Sequence, residues 1–240
     1  MATERSLAIL RAIVEDYIDT REPVGSKAVV ERHDFGVSAA TVRNDMALLE
    51  EEELISAPHT SAGRVPTDKG YRVFVDQLSK LRPLSAAQRH AIERFLGEAD
   101  DPEQLYSRTV RVLSQLTGQL ALVTSPRQDH LVVAGAANLL RTEHDFAGQI
   151  IQVLDAIDEQ VLVLRLLAET AREREVSVSI GHENEPFGLP ETSVVTASVA
   201  MPGGTSLVGV LGPTRMNYSG NIAAVRAVAR YLSELFGEGA

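Results

Sequence analysis

Two neighbouring stretches of the chain carry polar residues at spacings suited to reading a nucleic acid. The first is Val37 to Leu49, VSAATVRNDMALL, and the second is Ser56 to Thr67, SAPHTSAGRVPT. Arginine can donate two parallel hydrogen bonds to guanine, asparagine can pair in the same fashion with adenine, and a small residue lets a helix approach the major groove closely. Arg43, Asn44 and Ala40 supply those three properties, Ser38 supplies a helix cap, and Thr41 could touch a thymine methyl or a phosphate. In the second stretch Pro58, Gly63 and Pro66 punctuate a segment too polar for a core strand, which is expected to project as a hairpin wing. Arg64 would then reach a minor groove or a phosphate, with His59, Thr60 and Ser61 as further DNA-binding candidates on the same loop.

These residues need elements to aim them. Leu7, Leu10, Ile13, Val14, Tyr17 and Ile18 recur at helical spacing and predict a first helix running to about Thr20, broken by Arg21-Glu22-Pro23-Val24-Gly25. Ser26 is expected to cap a brief helix, Lys27 to Arg32, that ends at His33-Asp34-Phe35-Gly36, where glycine can turn left-handed. Ser38 caps the third helix. Val42, Met46 and Leu49 then face the core, which turns Ala40, Asn44 and Ala47 outward and leaves Thr41 and Arg43 on the flanks. Pro66-Thr67 opens a fourth helix with Tyr71, Phe74, Val75, Leu78 and Leu81 on one face. Taken alone, Arg43 and Asn44 fit a solvated helix face equally well, and winged helices also serve as protein-binding modules. The order of helices, glycine turn, hairpin and helix is narrower than any one element.

The chain has 240 residues, 44% of them hydrophobic and 23% charged, the profile of a globular protein with a sizeable core. It has no cysteine, which excludes disulfides, thiolate metal sites and a cysteine nucleophile and fits a reducing, cytoplasmic setting. The opening MATERSLAILRAIVEDY is interrupted by Arg11, Glu15 and Asp16 and resembles neither a signal peptide nor a membrane span. The formal net charge of -10 opposes phosphate binding. Distribution counts for more than the sum: Lys27, Arg43, Arg64, Lys69 and Arg72 could converge around the third helix and the loop, with Glu50 to Glu53 set beyond them.

The run ERSLAILRAIVEDYIDTREPVGSKAVVERHDFGVSAATVRNDMALLEEEELISAPHTSAGRVPTDKGYRVFVDQL resembles the N-terminal domain of the heat-inducible transcription repressor HrcA family, and PHTSAGRVPTDKGYR is its most characteristic part. GHEN at Gly181 to Asn184 and LGPTRMNYS at Leu211 to Ser219 are similar to the family's C-terminal signatures. The resemblance implies an α+β protein: a winged helix-turn-helix DNA-binding domain over 1–82, a helical linker over 83–119 and a shortened GAF-like α/β domain over 120–240. It implies a bacterial, cytoplasmic repressor that binds, as a homodimer, an inverted-repeat operator in double-stranded DNA upstream of chaperone operons. It further implies assistance from the chaperonin GroEL. The recognition helix would be Ser38 to Leu49 and the wing Ser56 to Thr67.

The middle of the chain departs from that family. Ser85-x-x-Gln88 reads as a capping box and Asp101-Pro102-Glu103-Gln104 as the start of another helix with Leu105, Val112, Leu113 and Leu116 inward. LALVTSPR, Leu120 to Arg127, reads as a strand. In the family it should lead into further strands and an inserted helical domain used for dimerisation, but here Gln128-Asp129 passes directly to HLVVAGAANLL, so an internal block is absent. Strands are expected at Leu131 to Ala134, Val161 to Leu167, Val176 to Ile180, Thr192 to Ala200 and Ser206 to Leu211, the last two as a hairpin around Pro202-Gly203-Gly204. Gly148 to Ala156 reads as a helix, and Ser219 as the cap of a last helix with Ile222, Val225, Val228, Ala229 and Leu232 inward. Helices on one face of a largely antiparallel sheet would satisfy the pattern, leaving a sheet edge that a second chain could cover.

His182-Glu183-Asn184-Glu185 and His144-Asp145 gather titratable groups, yet neither has the spacing of a metal or acid/base site, and turn polarity explains both. The expectation is therefore no catalytic residue, no metal and no cofactor. Gly203-Gly204 and Gly209 to Gly212 lack the lysine and spacing of a phosphate loop. The alternative to a repressor is a shortened relative that acts as a protein-interaction or ligand-sensing module with weak or no autonomous DNA binding.

Overall fold

The computed structural model describes residues 3–59, 62–78, 84–142, 147–171 and 175–237. The chain divides into two compact units, Met1–Ser79 and Lys80–Ala240.

The first unit opens with α1 (Glu4–Thr20), capped by the Thr3 hydroxyl, which accepts from the Ser6 N–H at 3.1 Å. Its end is marked by Arg21, left-handed at φ 61°. α2 (Ser26–Arg32) follows. Its N-cap is Gly25 and Ser26 is already helical and buried, which corrects the expected serine cap: extended backbone at Gly25 starts the helix without any side-chain bond. A turn with Gly36 at φ 63° leads into α3 (Ala39–Glu51), whose Val42, Met46 and Leu49 are buried as their spacing requires. β1 (Ile55–Ser56) and β2 (Val65–Pro66) pair antiparallel, Ile55 opposite Pro66 and Ser56 opposite Val65. α4 (Asp68–Asp76) is capped by Thr67 and buries Tyr71 and Phe74. It starts later and stops earlier than the sequence suggests: Pro66 belongs to β2, Thr67 is the cap, Leu78 lies beyond the last turn and Leu81 lies outside the described residues. The core of the unit is the meeting of α1, α2, α3 and α4 through Ile9, Leu10, Ile13, Val29, Val42, Leu49 and Phe74.

The second unit begins with α5 (Ala86–Gly97), whose Ser85–Gln88 capping box is formed, and α6 (Pro102–Thr117), capped by Asp101. β3 (Leu120–Thr124) and β4 (Leu131–Ala134) form a hairpin. α7 (Ala136–Thr142), α8 (Ala147–Asp158) and α9 (Gln160–Thr170) come next, then β5 (Ser177–Ile180), a 3-10 turn over Gly181–Phe187, and the hairpin of β6 (Thr192–Met201) with β7 (Gly204–Pro213). α10 (Tyr218–Gly237) closes the unit. The sheet is antiparallel throughout, in the order β4-β3-β7-β6-β5.

Several sequence expectations fail in this unit. The apolar run Val161 to Leu167 is helical, not a strand: its buried residues Val163, Leu166 and Leu167 recur at three and four, a period that a run of continuous aliphatic residues hides. Helices cover both faces of the sheet rather than one, because α9 and α8 pack on Leu120, Leu122, Val194 and Leu211 while α6 and α10 lie against β3, β6 and β7 as well. β3 is accordingly buried along its whole length, the pattern of a strand covered on both faces. Ser219 sits inside α10, and the cap is Asn217, whose Oδ1 accepts from Gly220 N–H at 2.9 Å and whose carbonyl accepts from Asn221. α7 was not read from the sequence, and β3 ends three residues earlier than LALVTSPR suggests, at the turn before Pro126. The helices α5 and α6, expected as a linker over 83–119, are part of the second unit, α6 against β3 and β4.

Candidate nucleic-acid interface

The candidate residues lie in the first unit, and α3 holds most of them. Ser38 Oγ accepts from the Thr41 N–H at 3.3 Å and lies 3.1 Å from the Thr41 hydroxyl, satisfying one of the orphan donors of the first turn. That bond keeps Thr41 half-buried at the start of the helix. With Val42, Met46 and Leu49 inward, Ala40, Arg43, Asn44, Ala47 and Leu48 are exposed. The far end is fixed by a Schellman-type closure: Leu54 N–H reaches Leu49 O at 2.9 Å and Glu53 N–H reaches Glu50 O at 3.0 Å, with Glu53 left-handed at φ 59°. The chain therefore leaves α3 at a set angle into β1.

The rotation of α3 about its axis has a second anchor. Asp45 is buried, and Arg5 grips it from the first turn of α1, Nε to Oδ2 at 2.9 Å and Nη2 to Oδ1 at 3.2 Å. The hydrogen bond and the charge of Asp45 raise the pKa of the Arg5 guanidinium above its ordinary value. The two partners stand 40 positions apart, beyond the reach of local sequence pattern. Asp45 stands three residues after Val42 and four before Leu49, on the buried stripe, and that position was the available signal.

The hairpin between Ser56 and Val65 stands beside the end of α3. Ala62 N–H bonds to His59 O at 2.9 Å, and His59 is exposed; Thr60 and Ser61 lie outside the described residues. The base of the hairpin is extended by a bridge from Arg64 to Val24 in the α1–α2 connection, with N–H to O bonds of 2.8 and 2.9 Å. Gly63 makes the approach possible, since a Cβ there would come within 2.5 Å of the Pro23 carbonyl.

The cations divide into two groups. Lys27 and Arg43 are exposed and, like Asn44, make no hydrogen bond or ion pair among the described residues. The others are held: Arg64 by Glu50, with Nη2 2.8 Å from Oε2, Lys69 by the Glu52 carbonyl at 2.8 Å, and Arg72 near Asp76 at 4.0 Å. Glu50 to Glu53 do not simply lie beyond the basic residues, as their position in sequence suggests. Three of the four reach back: Glu50 to Arg64, the Glu52 carbonyl to Lys69, and the Glu53 carboxylate to within 3.8 Å of Lys69.

Elsewhere the polar clusters are structural. Asn184 is fully buried, donates to Thr192 O at 2.9 Å and accepts from the Ser179 hydroxyl, while Glu183 accepts from the Ile180 N–H at 3.0 Å. His144 and Asp145 lie outside the described residues. Among the described residues no group of three or more His, Asp or Glu side chains is placed to hold a metal ion, and no helix is long and apolar enough to cross a membrane.

A family model described as the HrcA protein C terminal domain matches residues 127–222. The heat-inducible transcription repressor HrcA of Clavibacter michiganensis subsp. michiganensis is 46% identical over 339 aligned positions, covering 99% of this chain and 100% of that protein. The chain belongs to the HrcA family of heat-inducible transcription repressors. The HrcA of Leifsonia xyli subsp. xyli is 44% identical over the same length, with the same coverage. A crystal structure of a protein described as hypothetical shares the fold, with a TM-score of 0.86 and 21% identity over 100% of both chains. The alignments to both HrcA relatives exceed the 240 residues of this chain by 99 positions while spanning it almost end to end, so the relatives carry at least that many positions with no counterpart here.

Proposed function

We propose that the chain is a sequence-specific DNA-binding repressor of heat-shock operons, with the first unit as a winged helix-turn-helix domain. In this reading α3 is the recognition helix and enters the major groove. Arg43 and Asn44 read bases, Ala40 permits close approach, and Ser38, Thr41 and Lys27 contact the backbone. The wing contributes His59, Thr60, Ser61 and Arg64, and Lys69 and Arg72 at α4 lie toward the flanking phosphates. The second unit is a shortened GAF-like domain, the protein acts as a homodimer on an inverted repeat, and GroEL assists its folding as the family resemblance implies.

One observation carries the reading: α3 is anchored on three sides, by its cap, by Arg5–Asp45 and by its closure at Leu54, yet its outward residues Arg43 and Asn44 bond to nothing among the described residues. A rigid helix presenting unsatisfied donors is what direct base readout requires. Sedimentation of the purified chain, alone and with a duplex carrying the inverted repeat upstream of the chaperonin genes, tests it. Two protomers loading on that duplex, on the order of a thousandfold tighter than on a scrambled one, is the expected result. A monomer without duplex affinity sinks it.

A second reading is favoured by a different observation. Leu140, Ile151 and Val161 are 65%, 64% and 71% exposed, in the segment that follows the β3–β4 hairpin. Large exposed aliphatic residues mark protein contact surfaces. A shortened relative that acts by protein contact and binds DNA weakly would sediment as a complex without requiring the inverted repeat.

A further inference from the structure

We propose that Glu50 is a positioning residue for DNA binding, which fixes the Arg64 guanidinium so that the wing presents it to a backbone phosphate. The assignment rests on the DNA-binding reading above. Arg64 Nε donates to Glu50 Oε2 at 3.0 Å, Nη2 lies 2.8 Å from the same oxygen, and Nη1 donates to the Ala62 carbonyl at 3.2 Å. The backbone of Arg64 is held on both sides by Val24, and Gly63 before it is packed against Pro23.

An arginine on a hairpin ordinarily gives up its rotamer freedom at the moment of contact, which weakens binding. Here that loss is taken on folding. The guanidinium has five N–H groups. One on Nε and one on Nη1 are hydrogen-bonded and one on Nη2 faces Glu50, which leaves one on each terminal nitrogen for an outside acceptor. The side chain is 27% exposed, so those groups are not sealed in. A planar fork gripped along one edge and open at another suits a phosphate oxygen, and lysine cannot be gripped this way.

Simple electrostatics gives Glu50 the opposite role. A carboxylate beside a phosphate-binding cation repels the phosphate and offsets the cation, so removing it should tighten binding. The two roles differ in sign, which makes them separable. The full chain and its Glu50→Ala, Glu50→Gln, Arg64→Ala and Arg64→Lys variants would be titrated, at several salt concentrations, with the inverted-repeat duplex and with a scrambled one.

Positioning predicts that Glu50→Ala weakens binding to both duplexes by roughly five- to tenfold although it removes a negative charge. Glu50→Gln keeps an oxygen that accepts from Nε and binds at least as tightly as the parent. Arg64→Lys keeps the charge but not the fork and loses as much as Glu50→Ala, and it serves as the test should Glu50→Ala fail to fold. In an Arg64→Ala background, Glu50→Ala has no further cost. Binding by Glu50→Ala equal to or tighter than the parent's, or parental binding by Arg64→Lys, overturns this role and leaves the DNA reading standing. A parent chain with no affinity for either duplex overturns the DNA reading and this role with it.

Discussion

The two units differ in where their most conspicuous polar groups stand. In the first, the exposed side of α3 carries Arg43 and Asn44 with no partner among the described residues, and Lys27 on α2 is in the same condition. In the second, Asn184, Thr192, Ser193, Thr196 and Ser206 are buried and every one is hydrogen-bonded, Ser193 to Tyr218 Oη at 2.8 Å and Thr196 to Val208 O at 3.3 Å among them. A donor satisfied inside the protein stabilises the fold and has nothing left to offer, whereas a donor left to water can change partner at little cost. The large exposed apolar residues follow the same division: Leu48 is in the first unit, while Val133, Leu140, Ile151, Leu154, Val161 and Leu235 are in the second.

The strongest way to break this contrast is to cut into the interior of the second unit. Leu122 is fully buried and belongs to the cluster that joins β3 to α8 and α9. Leu122→Ala removes buried methyl groups and leaves a cavity, at a cost of about 2 to 5 kcal/mol measured by urea denaturation. A loss under about 1 kcal/mol would mean that the sheet is packed loosely enough to collapse onto the smaller side chain.

Arg43→Ala should behave in the reverse manner. Its side chain is exposed and bonded to no described residue, so the change in stability is expected within about 0.5 kcal/mol. Loss of a bidentate contact to guanine should weaken binding to the inverted repeat by about 1 to 3 kcal/mol while sparing a scrambled duplex. Competition gel shifts read the difference. Equal losses on both duplexes would demote Arg43 from base reader to phosphate contact and erase the distinction between α3 and the wing.

How far the chain could be read from its residues depended on how far apart the interacting partners stand. α1, α3 and the β1–β2 hairpin are legible because periodic apolar residues, a serine cap and clustered Pro and Gly act over one or two turns. Val161 to Leu167 was misread because an unbroken aliphatic run satisfies helix and strand alike, and only the layer it packs on decides. Ser26 and Ser219 were misassigned as caps by one or two residues, within the slippage that local pattern allows. Arg5–Asp45 spans 40 positions and Arg64–Glu50 spans 14, and both depend on how α3 is seated against other elements. Residue type offers no sign that an acid in the run Glu50 to Glu53 would hold Arg64.

The smallest expected effect falls on the turn between β3 and β4, where the family-model match begins at residue 127. The short connection is closed by one side chain. Ser125 Oγ donates to Asp129 Oδ1 at 2.6 Å and accepts from the N–H groups of Asp129 and His130 at 3.2 Å, while Ser125 N–H bonds to His130 O at 2.9 Å and Gln128 takes the left-handed position at φ 57°. The hydrogen bond from Ser125 is the main cause holding the Asp129 carboxyl below its ordinary pKa, ahead of the charges of Arg127 and His130. A depressed carboxyl pKa stabilises the fold above the unfolded value and loses that contribution as pH falls through the folded one. Ser125→Ala should therefore move the Asp129 titration, followed by carbon NMR of the carboxyl, upward toward the ordinary aspartate range, and should remove the Asp129 contribution to stability at neutral pH while leaving none to lose at strongly acid pH, so that the acid limb flattens. An unchanged Asp129 titration would assign the shift to its backbone hydrogen bond and to the charges of Arg127 and His130 instead. The turn would then be held by its backbone alone, a weaker closure than the first unit uses at Arg64.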